Sequence, residues 1–132
     1  MKKILMVLSM AAFLFGGCSN LMVPEKKLTG KEFILVQENG IPNIIIGFDS
    51  DNFYGFSGVN NYFGRYEKSG KSIKLERMGA TLMAGPERLM DLEQNYYKEL
   101  ETVKKYSVKG DELTLITDDG KKMIFKENKK VD

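Results

Sequence analysis

Apolar residues along this chain change their spacing twice, and those changes mark its elements. Phe33-Ile34-Leu35-Val36 is an apolar run closed by Glu38-Asn39-Gly40, the pattern of a short strand ending in a turn. Asn43 to Phe48 contains Ile44-Ile45-Ile46 and predicts a second strand. Its lack of alternation implies burial on both faces, or an end tucked beneath a helix. Asp49-Ser50-Asp51-Asn52 turns the chain into an aromatic, glycine-rich strand from Phe53 to Gly58. Tyr62 to Tyr66 forms the next, and Lys68-Ser69-Gly70-Lys71 leads into a fifth, Ser72 to Leu75. Glycines at 55, 58 and 64 weaken strands unless a bulge, a bend or a close backbone approach requires them. A small sheet that coils toward a barrel has those requirements.

Pro86 then opens a segment in which Leu89, Leu92, Tyr96, Leu100 and Val103 recur every three or four residues. This is one apolar stripe on a helix of about five turns. Pro86 suits the first helical position, and Glu87 the positive end of the helix dipole. Tyr106 and Val108 return to period two, Gly110-Asp111 makes a turn, and Leu113 and Leu115 answer as the paired strand. After Asp118-Asp119-Gly120, Met123 and Phe125 fill the core side of the last strand. The expected fold is mainly β with one helix (α+β). It is a small coiled, barrel-like sheet of about eight strands, with the helix inserted between the fifth and sixth to plug or cover one side. The domain is expected over residues 32–127, with a frayed tail at 128–132.

The beginning of the chain has a different character. Lys2 and Lys3 precede an apolar run from Ile4 to Phe15, followed by Gly16 and Gly17. That is the build of a signal peptide over residues 1–17, and the run is shorter than the roughly 20 apolar residues that span a bilayer. Leu14-Phe15-Gly16-Gly17-Cys18 resembles the lipobox of bacterial lipoproteins, with Phe15 where leucine is usual. Cys18 is also the only cysteine. Lipidation there would remove a stray thiol and supply acyl chains enough for stable membrane anchoring. Residues 18–31 then read as a tether that lifts the domain by up to about 40 Å. The expected address is the cell envelope, outside the cytoplasm, and the outer membrane where a cell has two.

The formal charge of +2 comes from Lys2 and Lys3; without them basic and acidic residues are equal in number. No cation excess remains to neutralise phosphates, so nucleic acid is not an expected partner. The chain has no histidine, which excludes Ser-His-Asp and Cys-His catalytic sites and a conventional zinc site. No catalysis, cofactor or metal is expected, and the domain is expected to be a monomer.

Three blocks resemble the META domain family, whose HslJ-like members are heat-inducible lipoproteins of bacterial envelopes. They are Phe53 to Tyr66 (FYGFSGVNNYFGRY), Thr81-Leu82-Met83-Ala84-Gly85, and the helix and hairpin carrying Met90, Glu93, Tyr96, Leu100, Tyr106, Val108, Gly110, Leu113 and Leu115. The resemblance implies a small barrel-like fold with one helix and no established catalysis. Where the family usually has cysteines, this chain has Val59 and Gly85, and where it often opens with tryptophan, Phe33. The joint loss of two cysteines is what a lost disulfide would look like.

Candidate binding residues are Asn60, Asn61 and Arg65, then Thr81 and Met83 ahead of the helix, and Glu93 on it. The structural alternative for Asn60 is a left-handed bend or a bond to neighbouring backbone, and for Met83 a filled core gap. Glu93 lies at the edge of the apolar stripe, to pair with a buried cation or face water. Asp49-x-Asp51 begins like a calcium loop but lacks the remaining ligands, and is read as a turn. The expected function is a membrane-anchored, non-catalytic envelope domain that binds or supports another envelope component, a role in stress being implied by the resemblance alone. The alternatives are a barrel that holds an apolar or lipidic ligand, and an inhibitor of a cell-wall hydrolase.

Overall fold

The computed structural model describes residues 28–37 and 40–129. The expected signal peptide, Cys18, most of the expected tether, two residues of the first turn and the last three residues lie outside them. Eight strands follow in chain order: β1 Glu32–Leu35, β2 Ile45–Phe48, β3 Asn52–Phe56, β4 Asn61–Ser69, β5 Ser72–Ala80, β6 Val103–Lys109, β7 Glu112–Thr117 and β8 Lys122–Glu127. The helix α1, Glu87–Glu101, lies between β5 and β6. Each strand pairs antiparallel with the next, and β1 pairs with β8, which closes the barrel.

Alternation along the strands produces the core. In β4, Tyr62, Gly64 and Tyr66 point inward while Asn61, Phe63, Arg65 and Glu67 point out. Phe33, Phe48, Phe53, Leu113, Leu115 and Phe125 are fully buried. The rings of Phe33 and Phe48, and of Phe48 and Tyr66, meet edge to face with centroids at 6.2 and 5.2 Å, the arrangement aromatic quadrupoles favour. The glycine reading holds where it matters for closure. A Cβ on Gly55 would lie 1.9 Å from the Ile45 carbonyl oxygen, and one on Gly64 would meet Glu76 O at 2.2 Å and the Phe53 ring. Gly64 also adjoins the register shift between β4 and β5.

Four sequence expectations need correction. Strands β4 and β5 each run nine residues, because the alternation continues through charged outward positions that concealed their length. The fold begins before residue 32. Leu28 is fully buried, and Gly30 N–H donates to Phe48 O at 2.7 Å. Pro86 caps the helix rather than starting it, with φ −55° and ψ 138°, and its carbonyl accepts from Leu89 and Met90 N–H at 2.9 and 3.0 Å.

The fourth correction concerns which face of α1 is inside. Glu93, Tyr96, Tyr97 and Leu100 are buried, Leu89 and Leu92 are half-buried, and Val103 belongs to β6. The buried stripe is turned from the predicted one because Glu93 finds hydrogen-bond donors inside. Tyr96 and Tyr97 pack on Tyr62, each at 5.7 Å between centroids. Tyr62 donates its hydroxyl proton to Ile45 O at 2.8 Å and takes one from Tyr96 across 2.6 Å. Burial pushes both hydroxyl pKa values well above the ordinary tyrosine range. The helix therefore plugs this part of the barrel with aromatic rings.

Candidate functional site

The turn from β3 to β4, Ser57 to Asn60, is closed by Ser57 N–H donating to Asn60 O at 2.9 Å. Gly58 supplies its left-handed residue, at φ 103°. Asn60 is therefore not a left-handed bend residue, since no residue other than glycine has positive φ among those described. It is buried, 5% exposed, and its side chain reaches across to other elements.

Glu93 is the centre of that arrangement and is 2% exposed. Its Oε2 accepts from Ser57 Oγ at 2.6 Å and Asn60 N–H at 2.8 Å, and its Oε1 from Asn60 Nδ2 at 2.9 Å. A carboxylate only accepts, so Ser57 spends its single proton there and accepts one from Tyr97, whose hydroxyl is 2.6 Å away. Burial alone would raise the Glu93 pKa. The bonds from Ser57, the Asn60 side chain and the Asn60 and Val59 backbone outweigh it and hold the group below the usual carboxylate range. Burial raises the Tyr97 hydroxyl, with the Ser57 bond opposing.

Asn60 passes this fixation to the segment after β5. Its Oδ1 accepts from Thr81 Oγ1 at 2.8 Å and Met83 N–H at 2.6 Å, while Nδ2 also approaches Met83 O at 3.3 Å. All four hydrogen-bonding positions of the amide are thus used. The clamped segment presents Leu82, 99% exposed, and Met83, 60% exposed. Polar groups hold the backbone from within while apolar side chains face outward. Beneath it, a Cβ on Gly85 would stand 3.7 Å from Val59 Cβ.

Of the six candidate residues, the fold unites Asn60, Thr81, Met83 and Glu93. Asn61 and Arg65 fall outside the cluster because strand alternation turns both outward. Asn61 contributes only backbone, donating to Thr81 Oγ1 at 3.1 Å and accepting from Thr81 N–H at 2.9 Å. Arg65 lies on the outer barrel wall with Glu67, Lys74, Glu76 and Met78. Glu93 meets neither of its expected surroundings, since it is buried and satisfied by neutral donors. Met83 fills no core gap. Ser57, Arg77 and Tyr97 were not anticipated. The spacing of Glu93, Tyr96, Tyr97 and Leu100 held a signal for Tyr97, hidden by placing Glu93 at the edge of the apolar stripe rather than within it.

Beside the clamp is an open cleft of about 350 Å³, bordered by Arg77 and Ala80 of β5, the Thr81–Ala84 segment, and Met90, Gln94 and Tyr97 of α1. The Arg77 guanidinium sits 4.4 Å from the centroid of the Tyr97 ring and 3.8 Å from Glu101. Its Nε is buried without a hydrogen-bond partner. Chemically, the network fixes a shape: Ser57 is 1% exposed, and both Glu93 oxygens are engaged by donors. Among the described residues no three His, Cys, Asp or Glu side chains converge to hold a metal ion.

The model of the META domain matches residues 26–130. Among solved structures, an NMR structure of a protein from Burkholderia xenovorans is similar at TM-score 0.67 and 20% identity, covering 78% of this chain and 85% of that one. A second NMR structure gives TM-score 0.57 at 20% identity, over 80% and 95%. A crystal structure of a duf4847 family protein from Bacteroides vulgatus gives 0.52 at 18% identity, over 67% and 61%. At these identities the likeness shows the fold. No curated protein matches the chain.

Proposed function

The chain belongs to the META domain family, and on that basis we propose that it is a lipid-anchored, non-catalytic docking module of the cell envelope. The observation that carries this reading is the clamped segment: Leu82 is 99% exposed on backbone that Asn60 and Glu93 hold from inside. An apolar side chain kept fully in water on a fixed support is suited to burial against a partner.

The placement of Gly30, near the start of the described chain, supports the reading. Register puts Ile45, Phe56, Asn61 and Ala80 at one end of the barrel and Phe48 and Phe53 toward the other. Gly30 bonds to Phe48, so the chain leading back to Cys18 leaves from the end opposite Leu82. A domain tethered through Cys18 would then direct the docking segment away from the bilayer. The interior ring packing of Tyr62, Tyr96 and Tyr97 favours this solid module over a container for an apolar ligand.

The anchor is tested by Cys18→Ser followed by membrane fractionation and intact mass. The expected result is release of the domain or accumulation of the uncleaved precursor. A Cys18→Ser protein that is processed and remains membrane-bound like wild type would refute the anchor.

A further inference from the structure

We propose that the cleft beside β5 receives an extended peptide from the docking partner, which adds as a strand to the upper edge of β5. This names the partner chemistry for the docking role above and rests on that reading.

The argument begins with an asymmetry in the barrel. Strand β5 runs from Ser72 to Ala80, and β4 follows it along that whole length. On its other side β6 pairs with it only at Ser72↔Lys105, next to the bond from Tyr106 N–H to Lys71 O at 3.0 Å. Above that point the chain has left for α1, so among the described residues no strand runs beside the upper half of β5; α1 packs there instead, with Tyr97 and Glu101 against Arg77, and the cleft is the space left between them. Backbone groups in an antiparallel strand alternate between its two neighbours. Lys71 O faces β6, which sets Ile73, Leu75 and Arg77 to the same side. The register shift then intervenes, and Thr81 N–H donates to Asn61 O toward β4, so Ala80 faces away from β4. Arg77 and Ala80, the two upper positions with outward backbone, are the β5 residues that border the cleft.

An unpaired strand edge is a template for another strand, and β-augmentation gains affinity from main-chain bonds and specificity from flanking pockets. The cleft provides both. Met83 and Met90 form an adaptable apolar lining, Tyr97 forms a firm wall, and exposed Leu82 stands at the rim. The stretch from Arg77 to Thr81 is long enough to pair about three or four residues of extended chain. A lone carboxylate is a poorer match for the whole cleft, because Glu93 borders it and Glu101 already lies near Arg77.

The test uses the full chain in detergent and a phage-displayed library of linear dodecapeptides, with the best peptide resynthesised alongside a twin N-methylated at alternate residues. Binding is read by fluorescence anisotropy and located by hydrogen exchange. The expected result is binding weakened at least tenfold by N-methylation and by Leu82→Asp, with new amide protection at Arg77–Ala80. The proposal is overturned if no peptide is enriched, if the methylated twin binds equally, or if protection appears elsewhere. It is also overturned if dodecanoate, or concentrating the protein alone, produces the same protection, which would make the occupant a lipid or a second copy. Membrane release on Cys18→Ser tests the anchor separately, so the two failures are distinguishable.

Discussion

Replacing Glu93 with glutamine keeps the size of the side chain and removes one acceptor and the charge. In the native site Oε2 faces Ser57 Oγ and Asn60 N–H while Oε1 faces Asn60 Nδ2. Whichever way the new amide is turned, its NH₂ group meets a donor. Asn60 has no freedom to relieve the conflict by turning its own amide, because Thr81 Oγ1 and Met83 N–H hold its Oδ1. A buried donor left without an acceptor costs roughly 1–3 kcal/mol. The remaining bonds fall from charge-assisted to neutral, roughly 1 kcal/mol apiece, and relief from burying an anion returns part of this. The net expectation is a loss of about 2–4 kcal/mol, or roughly 10–20 °C in Tm for a domain of this size.

Thermal unfolding followed by circular dichroism across a pH series measures both the loss and its origin. Glu93 is held below its ordinary pKa, so its contribution is fully present above the unfolded value, about 4.3, and is lost as pH falls through the folded value. The gap between wild type and Glu93→Gln should therefore be constant above about pH 5 and narrow in acid. A variant that melts within a degree or two of wild type, or a gap that widens on acidification, would refute the clamp as a source of stability.

Asn60→Ala should weaken the same network, and in a double-mutant cycle with Glu93→Gln the two losses should fall short of additive by at least about 0.5 kcal/mol, as for residues sharing hydrogen bonds; additive losses would show separate roles. Val59→Cys with Gly85→Cys should form a disulfide, since the Cβ separation of 3.7 Å lies in the bridging range of about 3.5–4.5 Å. Oxidation should add roughly 3 kcal/mol, and a double variant whose thiols stay titratable under oxidising conditions would end the lost-disulfide idea. Leu100→Ala, at a residue 1% exposed, should cost roughly 2–5 kcal/mol. Leu92→Ala should cost less, because Leu92 is only half-buried; denaturant midpoints in the reverse order would mean the helix face has been misassigned.

Much of this molecule is legible in its sequence, and the parts that are not share a physical cause. Strands and turns could be read because inward positions alternate cleanly, as in Tyr62, Gly64 and Tyr66, and because glycine marks the bulge and turns. Closure of the barrel was suggested by glycines 55, 58 and 64; the close contacts at 55 and 64 require the absence of a Cβ, whereas Gly58 lies past the end of β3 and serves the turn with its positive φ. The helix face was misjudged because a buried carboxylate has the same appearance in sequence as a solvated one. Only the fold brings Ser57 and Asn60, more than thirty residues away, to satisfy Glu93. Asn60 was singled out but given a local role, since side-chain bonds to distant backbone leave no periodic trace. Arg65 was grouped with it through proximity in sequence, which strand alternation reverses.

The docking claim is tested most directly in cells, by placing a photoreactive residue at Leu82 and, as a control, at Lys109 on the opposite end of the barrel. Irradiation should give a discrete, saturable protein adduct from position 82, none from position 109, and a weaker adduct from position 82 when Asn60→Ala releases the clamp. Equal or diffuse crosslinking from both positions, or an adduct at 82 indifferent to Asn60→Ala, would contradict a docking segment held in place by Glu93 and Asn60.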